Sequence, residues 1–247
     1  MNVKQYLDST YLKTASQAGL SEAENAVVVQ NAIVEAIQEG FKLIMIRPEY
    51  VAMAKKMIVE ANSVLLVGTV IDFPEGKSSL EAKIKEANEA IANGADDLDF
   101  VCNYEAFKNG DLDLVKKEIL IGTQIGLAND KTVKWIIEVA ALTDKEIMQL
   151  SALIKHVVVS NFKEDDFDSV FVKSSTGFYQ TDNNLPNGAT VPSIIMMLEN
   201  ASPLLVKAAG GVRSFDEAAE MIRLGVKRIG TSAAKTIANG EISPNQY

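Results

Sequence analysis

Short apolar runs alternate along this chain with longer stretches in which apolar residues recur every three or four positions. The short runs predict strands at residues 5–12, 42–46, 64–71, 97–102, 133–139, 169–173, 204–208 and 228–231. The periodic stretches predict helices across most intervals, for example 79–93 and 216–224, the second entered through Ser214 as N-cap with Glu217 three residues on. One junction recurs three times in the same register: EAIQEGFKLIMI (35–46), EAIANGADDLDF (89–100) and EMIRLGVKRIGT (220–231). Each reads as the last turns of a helix, a glycine in the left-handed C-cap position and then a strand.

Strands that alternate with helices imply a parallel sheet, and eight of them imply a closed (β/α)8 TIM barrel in a single α/β domain. An open doubly wound sheet is the runner-up, weakened because no G-x-G-x-x-G follows the first strands. The length of 247 residues would accommodate two ordinary domains, yet single α/β barrels routinely occupy about 250. The segment 151–168, HVVVSN followed by KEDDFD, fits the repeat poorly and could hold a ninth strand.

Composition narrows the partners. A net charge of −9 and a pI near 4.8, with no Lys/Arg cluster interleaved with aromatics, argue against nucleic acid. The longest apolar run, 64–71, is far below the roughly 18 residues of a membrane span, and MNVKQYLDST lacks a signal-peptide core. The expectation is a cytoplasmic protein without a membrane partner. One cysteine, Cys102, allows no intramolecular disulfide, and one histidine, His156, leaves no His/Cys metal cluster. Serine or cysteine nucleophiles would need His156 as their base, so lysine and carboxylate chemistry is favoured.

In a parallel barrel the catalytic groups lie at the C-terminal ends of the strands. Asp99 in DDLDFVCN, Lys173 in DSVFVKSSTGF and Lys207 in PLLVKAAGG are charges inside otherwise apolar runs, with Lys134 a fourth and Glu138 a fifth charged strand residue. One such residue alone is more often a strand-end charge reaching solvent. Several on different strands are costly to bury unless they pair or perform chemistry.

A pair of lysines makes chemical sense. An ordinary lysine is only about 0.04% neutral at pH 7, so a nucleophilic amine must have its pKa lowered by roughly 3, about 4 to 5 kcal/mol. A second ammonium about 4 Å away supplies about 4 kcal/mol at an effective dielectric near 20. The neutral amine can then attack a carbonyl and form a Schiff base. The glycine turns SSTGF, AAGGV and GTSA follow the last three strands and offer backbone N–H groups where barrels commonly bind phosphate.

These residues resemble the 2-deoxyribose-5-phosphate aldolase family, class I aldolases with a (β/α)8 barrel. FVKSSTGF (171–178) is similar to the family's Schiff-base strand, and VKAAGGVRSFDEA (206–218) to its second-lysine strand and phosphate loop. DLDFV (97–101), VKWIIEVAALTDKEI (133–147) and RIGTSA (228–233) resemble its aspartate strand, fifth strand and final phosphate turn, with weaker support from LDSTYLK (7–13) and GTVIDFPEG (68–76). The resemblance covers nearly the whole chain. It implies reversible cleavage of deoxyribose 5-phosphate without a metal or organic cofactor, in deoxyribose phosphate catabolism, and leaves a homodimer open.

Carried over residue by residue, it makes Lys173 the nucleophile, Lys207 the lysine that perturbs it, and Asp99 part of a water-assisted proton relay beside Lys207. Asp8, Thr10, Lys134 and Thr176 would bind substrate, and Gly177, Gly210, Gly211 and Ser232 the phosphate. Tyr247, ending a polar, proline-containing tail at 241–247, would assist proton transfer at the substrate's C2, against the plainer reading of a mobile end without a role.

The chain departs from the family at Ser9 (commonly histidine), Met45 (frequently cysteine), Asp72 (glycine), Val139 (threonine) and Ala233 (serine), and Phe178 stands where some members carry lysine. Cys102 reads as a small buried hydrophobe and His156 as strand-flanking or superficial. Trp135, Phe100, Met196 and Met197 read as core. The rival readings are another phosphosugar-processing barrel, separable by its products, and a non-catalytic phosphosugar binder, which would form no imine.

Overall fold

A computed structural model of the chain describes residues 2–182 and 185–241. Eight parallel strands, β1 (Leu7–Tyr11), β2 (Leu43–Ile46), β3 (Leu66–Ile71), β4 (Asp97–Val101), β5 (Thr132–Ile136), β6 (Val170–Lys173), β7 (Leu205–Ala209) and β8 (Arg228–Thr231), pair in sequence order. Pairing of β1 with β8, Asp8 opposite Gly230, closes the barrel. The (β/α)8 expectation holds and the open sheet does not.

Local sequence explains the alternation. Ser21 with Glu24, Thr143 with Glu146 and Ser214 with Glu217 form reciprocal capping boxes, so the helices Glu22–Glu39, Asp144–Asn161 and Phe215–Leu224 each begin with their free amides satisfied. The three repeated junction glycines all have positive φ, but only Gly40 (φ 66°, ψ 41°) is a left-handed C-cap; Gly94 lies one residue beyond its cap and Gly225 has φ 120°.

Segment 151–168 contains no strand. The helix Asp144–Asn161 runs through HVVVSN and a short 3-10 turn, Glu164–Ser169, leads into β6. Buried Ile147, Leu150, Ser151, Ile154, Val157 and Val158 keep helical spacing, so packing of that face overrides the strand preference of three successive valines. His156 is therefore an exposed helix residue that flanks no strand. Likewise β5 ends at Ile136, so Glu138 lies beyond the strand, in left-handed backbone at φ 56°.

The main core lies between strands and helices. Trp135 stacks on Phe100 at 4.8 Å and its indole donates to the Thr123 hydroxyl at 3.0 Å; Met197 is buried while Met196 is only partly so. Cys102 is buried, which pushes its thiol pKa up and leaves it without thiolate chemistry. Among the described residues, no helix is long and apolar enough to cross a membrane.

The bore has two unlike halves. Toward β1–β3 it is filled by Leu12, Leu43, Met45 and Val70, and Gly68 leaves room for Met45, whose Cε would lie 2.5 Å from a Cβ there. The other half carries charges.

Candidate active site

Inward-pointing positions on six strands supply these charges: Asp8 from β1, Asp97 and Asp99 from β4, Lys134 from β5, Lys173 from β6, Lys207 from β7 and Arg228 from β8. Asp99 lies opposite Lys134, and Lys173 opposite Lys207, in the strand registers. Asp99 Oδ2 accepts from Lys173 Nζ at 2.8 Å and from Lys207 Nζ at 2.9 Å, while its Oδ1 accepts from Lys134 Nζ at 2.9 Å. Lys207 Nζ also lies 2.6 Å from Asp8 Oδ2. The two sequence-predicted lysines of the pair thus converge on one carboxylate oxygen of Asp99.

Burial alone would raise the Asp99 pKa, but Lys134, Lys173 and Lys207 hold it well below the usual carboxylate value. Lys207 feels the same opposition: burial disfavours its ammonium, and Asp8 and Asp99 more than restore it, so its pKa is raised. Lys173 differs. Burial drives its pKa down to about 8, with Asp99 opposing and the Lys207 charge adding to the fall. The lysine pair is real, yet desolvation outweighs the neighbouring ammonium, contrary to the sequence-based expectation.

The neutral amine is the reactive form, so it grows as pH rises through about 8. The rate constant for imine formation in the free enzyme should follow it, falling about tenfold for each pH unit below that value. A profile of kcat/KM flat between pH 6 and 8 would contradict this.

Above the charges a cavity of about 530 Å³ opens, lined by Thr10, Lys173, Thr176, Gly177, Gly210, Gly211 and Ser232 among others. Three of its glycines have positive φ (Gly177 82°, Gly210 81°, Gly211 85°), the backbone form that turns amides toward an anion. Asp8 and Lys134 are absent from this lining: both are fully buried beneath it and engage other charges. Asp99 and Lys207 are likewise fully buried, reaching the cavity through Lys173. Tyr247 lies outside the described residues.

The walls are tied together. The Ser174 hydroxyl donates to Ala209 O at 2.8 Å and accepts from Ala209 N at 2.9 Å, joining the ends of β6 and β7. Glu138 accepts from Thr176 N at 3.1 Å and from the Thr176 hydroxyl, while the amides on either side of it, Ile137 and Val139, donate to Lys173 O and Ser174 O. Burial raises the Glu138 pKa against the pull of Thr176. Glu138 thus clamps the turn that follows Lys173.

Asp97 and Arg228 were not singled out in the sequence, although Asp97 stands two residues before Asp99, on the same strand face, and Arg228 opens an apolar run. Among the departures, Asp72 occupies glycine-like backbone (φ 55°) and offsets the strain by accepting from Ser78 N and Oγ. Ala233 keeps a structural amide, which donates to Thr231 Oγ1 at 3.0 Å, and Phe178 meets Phe73 edge-on at 5.1 Å. No explanation for Ser9 emerges. Among the described residues, no three His, Cys, Asp or Glu side chains are grouped to hold a metal ion.

Comparison with known proteins gives a consistent result. Residues 9–242 match the DeoC/LacD family aldolase profile. A deoxyribose-phosphate aldolase of Streptococcus pneumoniae serotype 19F is 36% identical over 248 residues, covering 100% of both chains. One from Thermococcus gammatolerans is 35% identical over 241 residues, 97% of this chain and 96% of that one. Among solved structures, a putative deoxyribose-phosphate aldolase from Coccidioides immitis superposes with a TM-score of 0.78 at 29% identity, covering 97% of this chain and 86% of that one. The tetrameric deoxyribose phosphate aldolase from Aeropyrum pernix gives 0.77 at 25% identity, over 96% and 89% of the chains.

Proposed function

This chain belongs to the DeoC/LacD family of aldolases, and from that membership we propose that it reversibly cleaves 2-deoxy-D-ribose 5-phosphate to D-glyceraldehyde 3-phosphate and acetaldehyde. The observation that carries the reading is a buried lysine, Lys173, hydrogen-bonded to a carboxylate it shares with Lys207, at the floor of a cavity with glycine turns on its wall.

Neutral Lys173 attacks C1 of the open-chain sugar. The resulting carbinolamine loses water as Lys207 and Asp99 exchange protons with its oxygen, and a protonated imine forms. The imine nitrogen withdraws the electron pair of the C2–C3 bond. That bond breaks while the C3 hydroxyl passes its proton, through water, to the Asp99–Lys207 pair, releasing glyceraldehyde 3-phosphate and leaving an enamine. Protonation at C2 and hydrolysis then free acetaldehyde and Lys173. Thr10 and Thr176 offer hydroxyls to the sugar, and the backbone of Gly177, Gly210 and Gly211 with Ser232 receives the phosphate. A cytoplasmic, catabolic setting is part of the proposal.

Borohydride added with deoxyribose 5-phosphate should leave a reduced adduct on Lys173, located by peptide mass. An unmodified Lys173 in enzyme that is inactivated by this treatment, or full activity in a K173M variant, would overturn the assignment.

A further inference from the structure

Beneath the cavity, six of the buried charges form a closed ring of alternating sign. Asp8 meets Lys207 (2.6 Å), Lys207 meets Asp99 (2.9 Å), and Asp99 meets Lys134 (2.9 Å). Lys134 meets Asp97 (2.5 Å), Asp97 meets Arg228 (3.1 Å), and Arg228 returns to Asp8 (2.6 Å). Three carboxylates face three cations, and every member of the ring touches two opposite charges. Lys173 is the seventh group, attached to the ring through Asp99 alone.

A water-poor interior favours a buried set whose charges cancel. The ring already sums to zero, so a protonated Lys173 would add a positive charge that no member of the ring is left to cancel. Of the four basic side chains, Lys173 has one carboxylate where the others have two. It is the cheapest to neutralise, and it opens on the cavity. Arg228 closes the ring from the opposite end of the bore and cannot release its proton.

We propose that Arg228 is a positioning residue for catalysis: by completing a neutral six-charge ring it makes Lys173 the surplus base and so favours the unprotonated nucleophile from a distance, without touching substrate. The inference rests on the aldolase reading above. The titratable groups that face Lys173 are Asp99 from β4, Lys134 from β5, Glu138 just beyond it and Lys207 from β7. None of them is altered in the test.

The test follows reductive trapping of acetaldehyde on Lys173 by cyanoborohydride, read by peptide mass across pH, in R228M, R228K, D97N and R228M/D97N enzymes. The wild-type rate should have its acid midpoint near 8. R228M removes one cation, so Lys173 must stay protonated to balance the carboxylates; its midpoint should rise by about one pH unit, lowering trapping at pH 7 about tenfold. D97N removes one carboxylate and should move the midpoint down, whereas R228M/D97N restores the balance and R228K keeps the charge, so both should return toward the wild-type position.

A purely structural role would lower the rate at all pH values and leave the midpoint where it was. Unmoved midpoints in folded R228M and D97N, or a double variant no closer to wild type than R228M, would overturn the proposal. Should R228M not fold, D97N and R228K decide it, since their predicted shifts differ. An adduct on wild-type Lys173 with no midpoint movement sinks only this inference; no adduct at any pH sinks the aldolase assignment as well.

Discussion

Replacing Asp99 with asparagine should lower kcat/KM for deoxyribose 5-phosphate by roughly 10³-fold, the usual worth of a positioned acid–base group, and destabilise the fold by about 3 kcal/mol. The two losses share one cause. Asp99 joins Lys134, Lys173 and Lys207, and the uncharged amide would leave four buried basic groups facing two carboxylates. For a chain of this length the stability loss corresponds to a melting temperature lower by roughly 6–12 °C.

The pH dependence separates the two effects. Because its folded pKa is depressed, Asp99 contributes stability above its unfolded pKa near 3.9 and loses it as pH falls through the lower folded value. The stability gap between wild type and D99N should therefore be full at neutral pH and close in strong acid. Raising the pH through about 8 lets Lys173 shed its proton and should narrow the gap from the other side. A variant of unchanged melting temperature at pH 7 would show that the lysines do not need this carboxylate.

The second large effect is expected at a position remote from the charges. Gly188 lies in the connection from β6 to the helix Val191–Ala201, where a Cβ would come within 2.5 Å of the Cα, carbonyl carbon and oxygen of Gly210. Those atoms are backbone, so no rotamer change relieves the clash, and the neighbouring amide of Ala189 is already bonded to Ala209 O and Gly210 O. G188V should push the Gly210 turn off the phosphate position and raise KM for deoxyribose 5-phosphate by about 10²-fold, the scale of a 1 Å misplacement. Steady-state kinetics with unphosphorylated 2-deoxyribose provide the control, since that substrate does not use the turn. Equal losses on both sugars would remove Gly210 from phosphate binding.

The barrel and its reactive centre were readable in the sequence for a simple reason: strands of four to six residues are nearly all apolar, so Asp99, Lys173 and Lys207 stand out. Arg228 and Asp97 did not stand out, because a charge at the first position of a strand normally reaches solvent. Only closure of the barrel turns those positions inward, toward β1. A linear pattern also does not distinguish the floor of a cavity, where Lys173 lies, from the layer beneath it, where Asp8 and Lys134 are buried. The segment across HVVVSN stays ambiguous in the sequence because three valines favour a strand locally, and the apolar face that makes it a helix is completed by residues up to ten positions earlier.

The ring of charges also bears on how the protein reaches its active form. Asp8 and Arg228 are 220 residues apart in the chain, and the carboxylate bound by three lysines comes from the middle of it. No contiguous half of the polypeptide contains the set, and a nascent chain lacks it until its last strand has emerged. Contacts of such long sequence separation form late and slowly. Catalytic competence therefore arrives only when the first and last strands meet, and recovery of turnover during refolding reports closure of the barrel itself.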